Sequence, residues 1–181
     1  MSKPPPLPAA VLTRVMRISV IDGRVLVFLA GGFGLISLVM ADWLGALVGG
    51  LAAGAGMIEL RGRRRLLAND ITGVNWLVRS QIVLLTVILT YVVYRYFTYD
   101  PLPSLHQIEQ AFASAQRAQG MDPTTLAEMI GMTNEQMLTL AKKSAHSAYL
   151  TIGVATLLCQ GGLAYYYHRK GPIIDRALHK S

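Results

Sequence analysis

Between Val25 and Ile58 the chain is apolar almost without interruption, and Asp42 is its one charged residue there. As a single helix this stretch would run about 50 Å, well beyond the roughly 30 Å hydrocarbon core of a bilayer. It is therefore predicted to fold as a hairpin, Val25 to Ala41 and Trp43 to Ile58, with Asp42 and Trp43 at the interfacial turn. Asp22 and Gly23 predict a break in the helix just before the first span. A third span is predicted from Trp76 to Phe97, with Arg79 and Arg95 near its ends, where both can snorkel toward headgroups. A fourth runs without a charge from Ser147 to Tyr167, between His146 and His168, and ends in Tyr165, Tyr166 and Tyr167 as an aromatic belt.

Outside the spans the pattern changes to helical periodicity. Ala9 to Ile21 mixes Val11, Leu12, Val15, Met16 and Ile18 with Arg14 and Arg17, which predicts a basic helix lying in the headgroup plane. The connection Thr98 to Ala145 carries three helix-start signals. Ser104 with Gln107 reads as a capping box for a helix that uses Leu105, Ile108, Phe112 and Ala115 and ends at Gly120; Asp122 with Pro123 starts a second, ending near Gly131; Thr133 with Gln136 caps a third that leads toward the fourth span. The expected fold is an all-α integral membrane protein with four transmembrane helices, an extracytoplasmic helical cap between helices three and four, and an N-terminal interfacial amphipathic helix. Its parts are a Pro-rich tail and interfacial basic helix (1–24), a transmembrane hairpin (25–59), a basic cytoplasmic loop (60–75), a third span (76–97), the cap (98–145), a fourth span (146–168) and a basic cytoplasmic tail (169–181).

The segment Thr125 to Lys143, with Ala127, Gly131 and Met137 at the small, turn and apolar positions, resembles the helix-turn-helix of DNA-binding regulators. The resemblance covers about a tenth of the chain and implies two helices joined by a Gly-containing turn. A recognition helix would need basic or amide groups at a groove, whereas here Glu135 comes early and Lys142 and Lys143 late. No nucleic-acid partner is expected.

Composition agrees with the span pattern: 52% hydrophobic and 15% charged residues are unbalanced for a soluble domain. The net charge is +7, and it is the distribution of the basic residues that sets orientation. Lys3, Arg14, Arg17, Arg24, Arg61, Arg63, Arg64, Arg65, Arg79, Arg169, Lys170, Arg176 and Lys180 fall on one side of a four-span arrangement, against Arg95, Arg117, Lys142 and Lys143 on the other. The positive-inside rule then places both termini in the cytoplasm, in the plasma (inner) membrane. Lys3 followed by Pro4, Pro5 and Pro6 is not a signal-peptide layout, so the first span is expected to stay as an anchor. The run Arg61, Arg63, Arg64 and Arg65 fixes this topology and can also meet lipid headgroups. Cys159 has no second cysteine to pair with.

Two kinds of face remain. Ala30, Gly34, Ser37 and Ala41 in the first span, and Gly45, Gly49, Ala52 and Gly56 in the second, repeat at steps of three and four, so two small-residue stripes are expected to form the seam of the hairpin. Ala46, Gly50, Ala53 and Gly54 form a further set for another span or another copy. On the third span Asn75, Arg79, Thr86, Thr90 and Tyr94 share a face, and on the fourth Tyr149, Gly153, Thr156 and Gln160 do. Such polar faces serve either interhelical hydrogen bonds or a hydrated path. Glu59 and Arg79 are expected to pair across the short loop near the cytoplasmic interface, a structural neutralisation, because groups that carry proton transfer generally lie deeper and no carboxylate here sits near the bilayer midplane. The histidines His106, His146, His168 and His179 lack carboxylate or thiol company at ligand spacing, and no nucleophile elbow, Walker A or paired buried acid is legible, so neither an enzyme nor a cofactor or metal is expected. Two functions fit: a self-associating small pore or permeation module, or an accessory or assembly subunit of a larger membrane complex.

Overall fold

The computed structural model describes residues 8–120 and 129–179. Within them the chain is all-helical: α1 (Pro8–Val39), α2 (Trp43–Leu67), α3 (Thr72–Thr98), α4 (Leu102–Ala118) and α5 (Asn134–Leu178). Four of these, α1, α2, α3 and α5, are long and apolar enough to cross a membrane. The chain divides into two compact units, one of residues 1–91 with 153–181, the other of residues 92–152.

In the first unit α1 and α2 pack as an antiparallel hairpin. Their connection is short because Ala41 takes a left-handed conformation (φ 57°) and Asp42 caps α2, its Oδ1 accepting from the Gly45 backbone N–H at 3.1 Å. A small-to-small seam then runs down the pair. A Cβ built on Gly49 would lie 2.6 Å from Gly34 Cα and 2.7 Å from the Ala30 carbonyl oxygen. Further along, Gly56 meets the Gly23 carbonyl oxygen, 2.8 Å from where its Cβ would be. Gly23 therefore does not break α1, which continues through it; its lack of a side chain lets α2 approach. In lipid, where apolar side chains gain nothing by leaving the tails, such close backbone contact is a main source of helix association.

The lower end of the same unit has a larger core. Val11 and Val15 of α1, Leu66 of α2, Val74 and Leu77 of α3, and Tyr167, Ile174 and Leu178 of α5 form one buried cluster. The N-terminal segment is the start of one continuous α1, and Val11 and Val15 in its first turns pack with Ile174 and Leu178 in the last turns of α5. Nearer the middle, Ala52, Ala55 and Leu84 are buried with Leu26, Ala30 and Ile88 beside them. Large apolar side chains such as Phe28, Leu35, Leu47, Ile82 and Leu158 point outward, as a lipid-facing surface requires.

In the second unit α4 starts at Leu102, two residues before the expected cap. The Leu102 N–H bonds Asp100 Oδ1 at 3.0 Å, and Pro103, which has no N–H to lose, fits the first turn, leaving Ser104 inside the helix. The helix ends before Gly120 (φ 72°). The expected helix from Asp122 falls mostly outside the described residues; Met129 and Ile130 are helical and Gly131 (φ 71°) turns the chain. Thr133 and Gln136 form a reciprocal capping box, Gln136 N–H to Thr133 Oγ1 at 3.2 Å and Thr133 N–H to Gln136 Oε1 at 2.9 Å, and α5 continues from it to Leu178.

Candidate functional site

Each of the four long helices places one polar side chain in a common buried centre. The inward face of α2 reads Gly45, Gly49, Ala52, Gly56, Glu59, Gly62 and Leu66, all buried, so Glu59 lies in register with the small-residue stripe and is carried inside with it. The inward face of α3 runs through Leu77, Ser80, Gln81 and Leu84, also buried. Asp22 comes from α1, one residue before the Gly23 contact, and Tyr167 from α5, within the larger core.

Their geometry is convergent. The Gln81 amide nitrogen donates to Asp22 Oδ2 at 3.0 Å and to Glu59 Oε2 at 3.1 Å, and the Tyr167 hydroxyl donates to Glu59 Oε1 at 3.0 Å. Glu59, Gln81 and Tyr167 have no accessible surface, and Asp22 is half-buried. The adjacent Ser80 hydroxyl donates to the Ala55 carbonyl at 2.7 Å, tying α3 to α2 beside the centre. Gln81 Oε1 is buried with no hydrogen-bond partner. Among the described residues the ion pairs are Arg65 with Asp70 and His179 with Asp175, and neither involves Asp22 or Glu59. Two carboxylates thus share one amide with no cation beside them. An unpaired charge removed from water is expensive, and the wholly buried Glu59 is the costly member of this pair.

The residues singled out from sequence are distributed differently. Arg79 is exposed and does not pair with Glu59, whose partners are Gln81 and Tyr167. Thr86 and Thr90 are on the exposed side of α3, and the Thr86 hydroxyl bonds the Ile82 carbonyl of its own helix at 2.9 Å. Thr156 is buried, and Gln160 Oε1 is enclosed without a partner. Tyr94, half exposed, and Tyr149, whose ring meets Tyr99 edge-on at 6.0 Å, belong to the other unit. Ala30, Gly34 and Gly49 meet in the hairpin seam; Ser37 faces Gly45, and Ala52 is in the core. Ala41 lies in the exposed turn, outside α1 and outside the seam, because the chain must reverse there.

The basic run is only partly free for headgroups. The Arg61 and Arg65 guanidiniums lie 5.1 and 5.2 Å from the Trp76 ring centroid, a cation–π clamp between α2 and α3. Arg65 also bonds the Thr72 hydroxyl at 2.9 Å and Asp70 at 3.4 Å. The Thr72 hydroxyl and backbone N–H hold the Asp70 carboxyl below the ordinary aspartate range, with a smaller contribution from Arg65. Arg61 and Arg64 line a surface depression with Met57 and Leu60, whereas Arg63 is half-buried.

The second unit holds an aromatic cluster, Tyr96 stacked on His146 at 4.3 Å, and a small cleft of about 100 Å³ lined by Leu102, Leu105, His106, Glu109, Asn134, Met137 and Leu138. Among the described residues no three His, Cys, Asp or Glu side chains are grouped as metal ligands would be. No protein-family model matches this chain, and neither a curated protein nor a solved structure is significantly similar to it.

Proposed function

We propose that this chain is a self-associating membrane module for the passage of a small ion, with the Asp22, Glu59, Gln81 and Tyr167 centre as its ion site. One observation carries the reading: Glu59 is wholly buried among four membrane-crossing helices, and no basic side chain pairs with it among the described residues. Ionisable groups inside membrane proteins are costly and mark ion and proton pathways by default. A purely structural carboxylate would be expected beside an arginine, yet Arg79 faces away.

Self-association follows from the outward polar positions. Thr86, Thr90 and Tyr94 would face lipid in a single copy, and a second copy covering α3 would bury them and supply the polar lining. The reading puts the module in the plasma membrane, both termini cytoplasmic and the connection from Thr98 to Ala145 outside, on the split of basic residues. Flux of small ions into proteoliposomes is the test. Wild type should exceed empty liposomes, and Glu59→Gln should lower flux while assembly survives.

The second reading, an accessory or assembly subunit, is favoured by Gly50, Gly54, Gly161 and Gly162, where an added Cβ would meet no neighbouring element within 4 Å, leaving room for a partner helix. No flux from a correctly assembled wild type, together with a hetero-complex by native mass measurement, would put this reading ahead.

A further inference from the structure

The buried centre is short of hydrogen-bond donors as well as of positive charge. Its acceptors are Asp22 Oδ2, both Glu59 oxygens and Gln81 Oε1; its donors are the Gln81 amide nitrogen and the Tyr167 hydroxyl. The unmet acceptor, Gln81 Oε1, belongs to a side chain with no accessible surface whose amide is aimed at both carboxylates. A carboxylate that binds a proton becomes a donor, so one proton remedies both shortages at once.

We infer that Asp22, Glu59, Gln81 and Tyr167 form a proton-binding site in which one exchangeable proton is held on Glu59, on the side that faces Asp22 and Gln81. The step is a single proton transfer: a hydronium ion arriving from the side of half-buried Asp22 gives up one proton, its O–H bond breaks as the Glu59 O–H bond forms, and a water molecule leaves. Tyr167 donates to Oε1 and Gln81 to one lone pair of Oε2, which leaves the other lone pair of Oε2 for the proton. The new O–H can be given to Asp22, the second carboxyl that the Gln81 amide already holds.

The groups facing Glu59 from its neighbours are Asp22 on α1, Gln81 on α3 and Tyr167 on α5. Among the described residues no lysine, arginine or histidine is within ion-pair distance of either acid. A sodium ion would also supply charge, but hard cations require several oxygens with free lone pairs. Here the Gln81 N–H and Tyr167 O–H groups point at both Glu59 oxygens and one of Asp22, so a metal cation seated among those oxygens would face their positive hydrogens. The inference deepens the permeation reading by naming the ion, and it concerns binding alone.

The test is infrared difference spectroscopy of the full chain in lipid nanodiscs. At neutral pH wild type should show the carbonyl stretch of a protonated carboxylic acid, moving in D₂O and lost in Glu59→Gln. Tyr167→Phe, which keeps both acids, should raise the frequency of that band by removing the hydrogen bond to Oε1, and it serves if Glu59→Gln does not fold. Absence of the band in folded wild type, its survival in folded Glu59→Gln, or an unchanged frequency in Tyr167→Phe would overturn the assignment. Loss of the band when choline is replaced by sodium at fixed pH would overturn it in favour of a metal-cation site. A chain that shows the band but conducts nothing removes the permeation reading and leaves this one standing; conduction without the band does the reverse.

Discussion

Replacing Gly49 by alanine tests the hairpin at its tightest point. The new Cβ would lie 2.6 Å from Gly34 Cα and 2.7 Å from both Gly34 N and the Ala30 carbonyl oxygen. All three are backbone atoms, so no side chain can rotate away, and α1 and α2 must separate. Moving from 2.6 Å to the 3.4 Å where ordinary contact begins is a shift of about 0.8 Å, and overpacking of this kind costs about 1–3 kcal/mol. Gly50→Ala is the matched control, because its Cβ would meet nothing within 4 Å. Both changes remove a helix glycine and gain the same backbone-entropy benefit, of order 1 kcal/mol, so their difference isolates the clash. Reversible unfolding in mixed micelles, followed by circular dichroism, should rank Gly49→Ala below Gly50→Ala by about 1–3 kcal/mol. Equal stability of the two variants would refute the seam.

Two further outcomes are expected. Asp70 is held below the ordinary aspartate range chiefly by the Thr72 hydroxyl, so its contribution to stability is fully present above the unfolded aspartate pKa and is lost as pH falls through the lower folded value. Thr72→Val should move the Asp70 titration, read by the ¹³C shift of its carboxyl carbon, up toward the ordinary range; an unmoved titration contradicts the assigned cause. Single cysteines replacing Arg64 and Gly120 should be labelled from opposite sides of the membrane, Arg64 from the cytoplasm, and labelling of both from one side would sink the proposed orientation.

The four long helices were legible because runs of apolar residues longer than a soluble helix needs have few other uses. Boundaries were harder. Asp22 and Gly23 look like a helix stop in isolation, and only the approach of Gly56 and Leu60 explains why a helix passes through them. Ser104 has the right residue type for a cap, but Asp100 and Pro103 start the helix first. The buried centre went unread because Glu59 was weighed by its depth along the span and not by its face. The stripe Gly45, Gly49, Ala52 and Gly56, extended by three residues, lands on Glu59 and could have placed it inside. The roles of Gln81 and Tyr167 had no such signal, since an amide next to Arg79 and Ser80 at the start of a span and one tyrosine of three carry no periodic mark of what they touch.

Glu59 and Tyr167 are 108 residues apart, whereas the seam that carries Glu59 inside is built by two helices adjacent in the chain. Local contacts close early and long-range ones late, and a chain emerging from the ribosome presents its N-terminal elements first. The α1–α2 hairpin can therefore be inserted and zipped before α5 has been synthesised, with Glu59 already committed to the interior but lacking its phenolic donor. Arrival of the last helix completes the bonding of an acid placed by the second. An assembly intermediate stalled before that moment would carry an incompletely satisfied carboxylate.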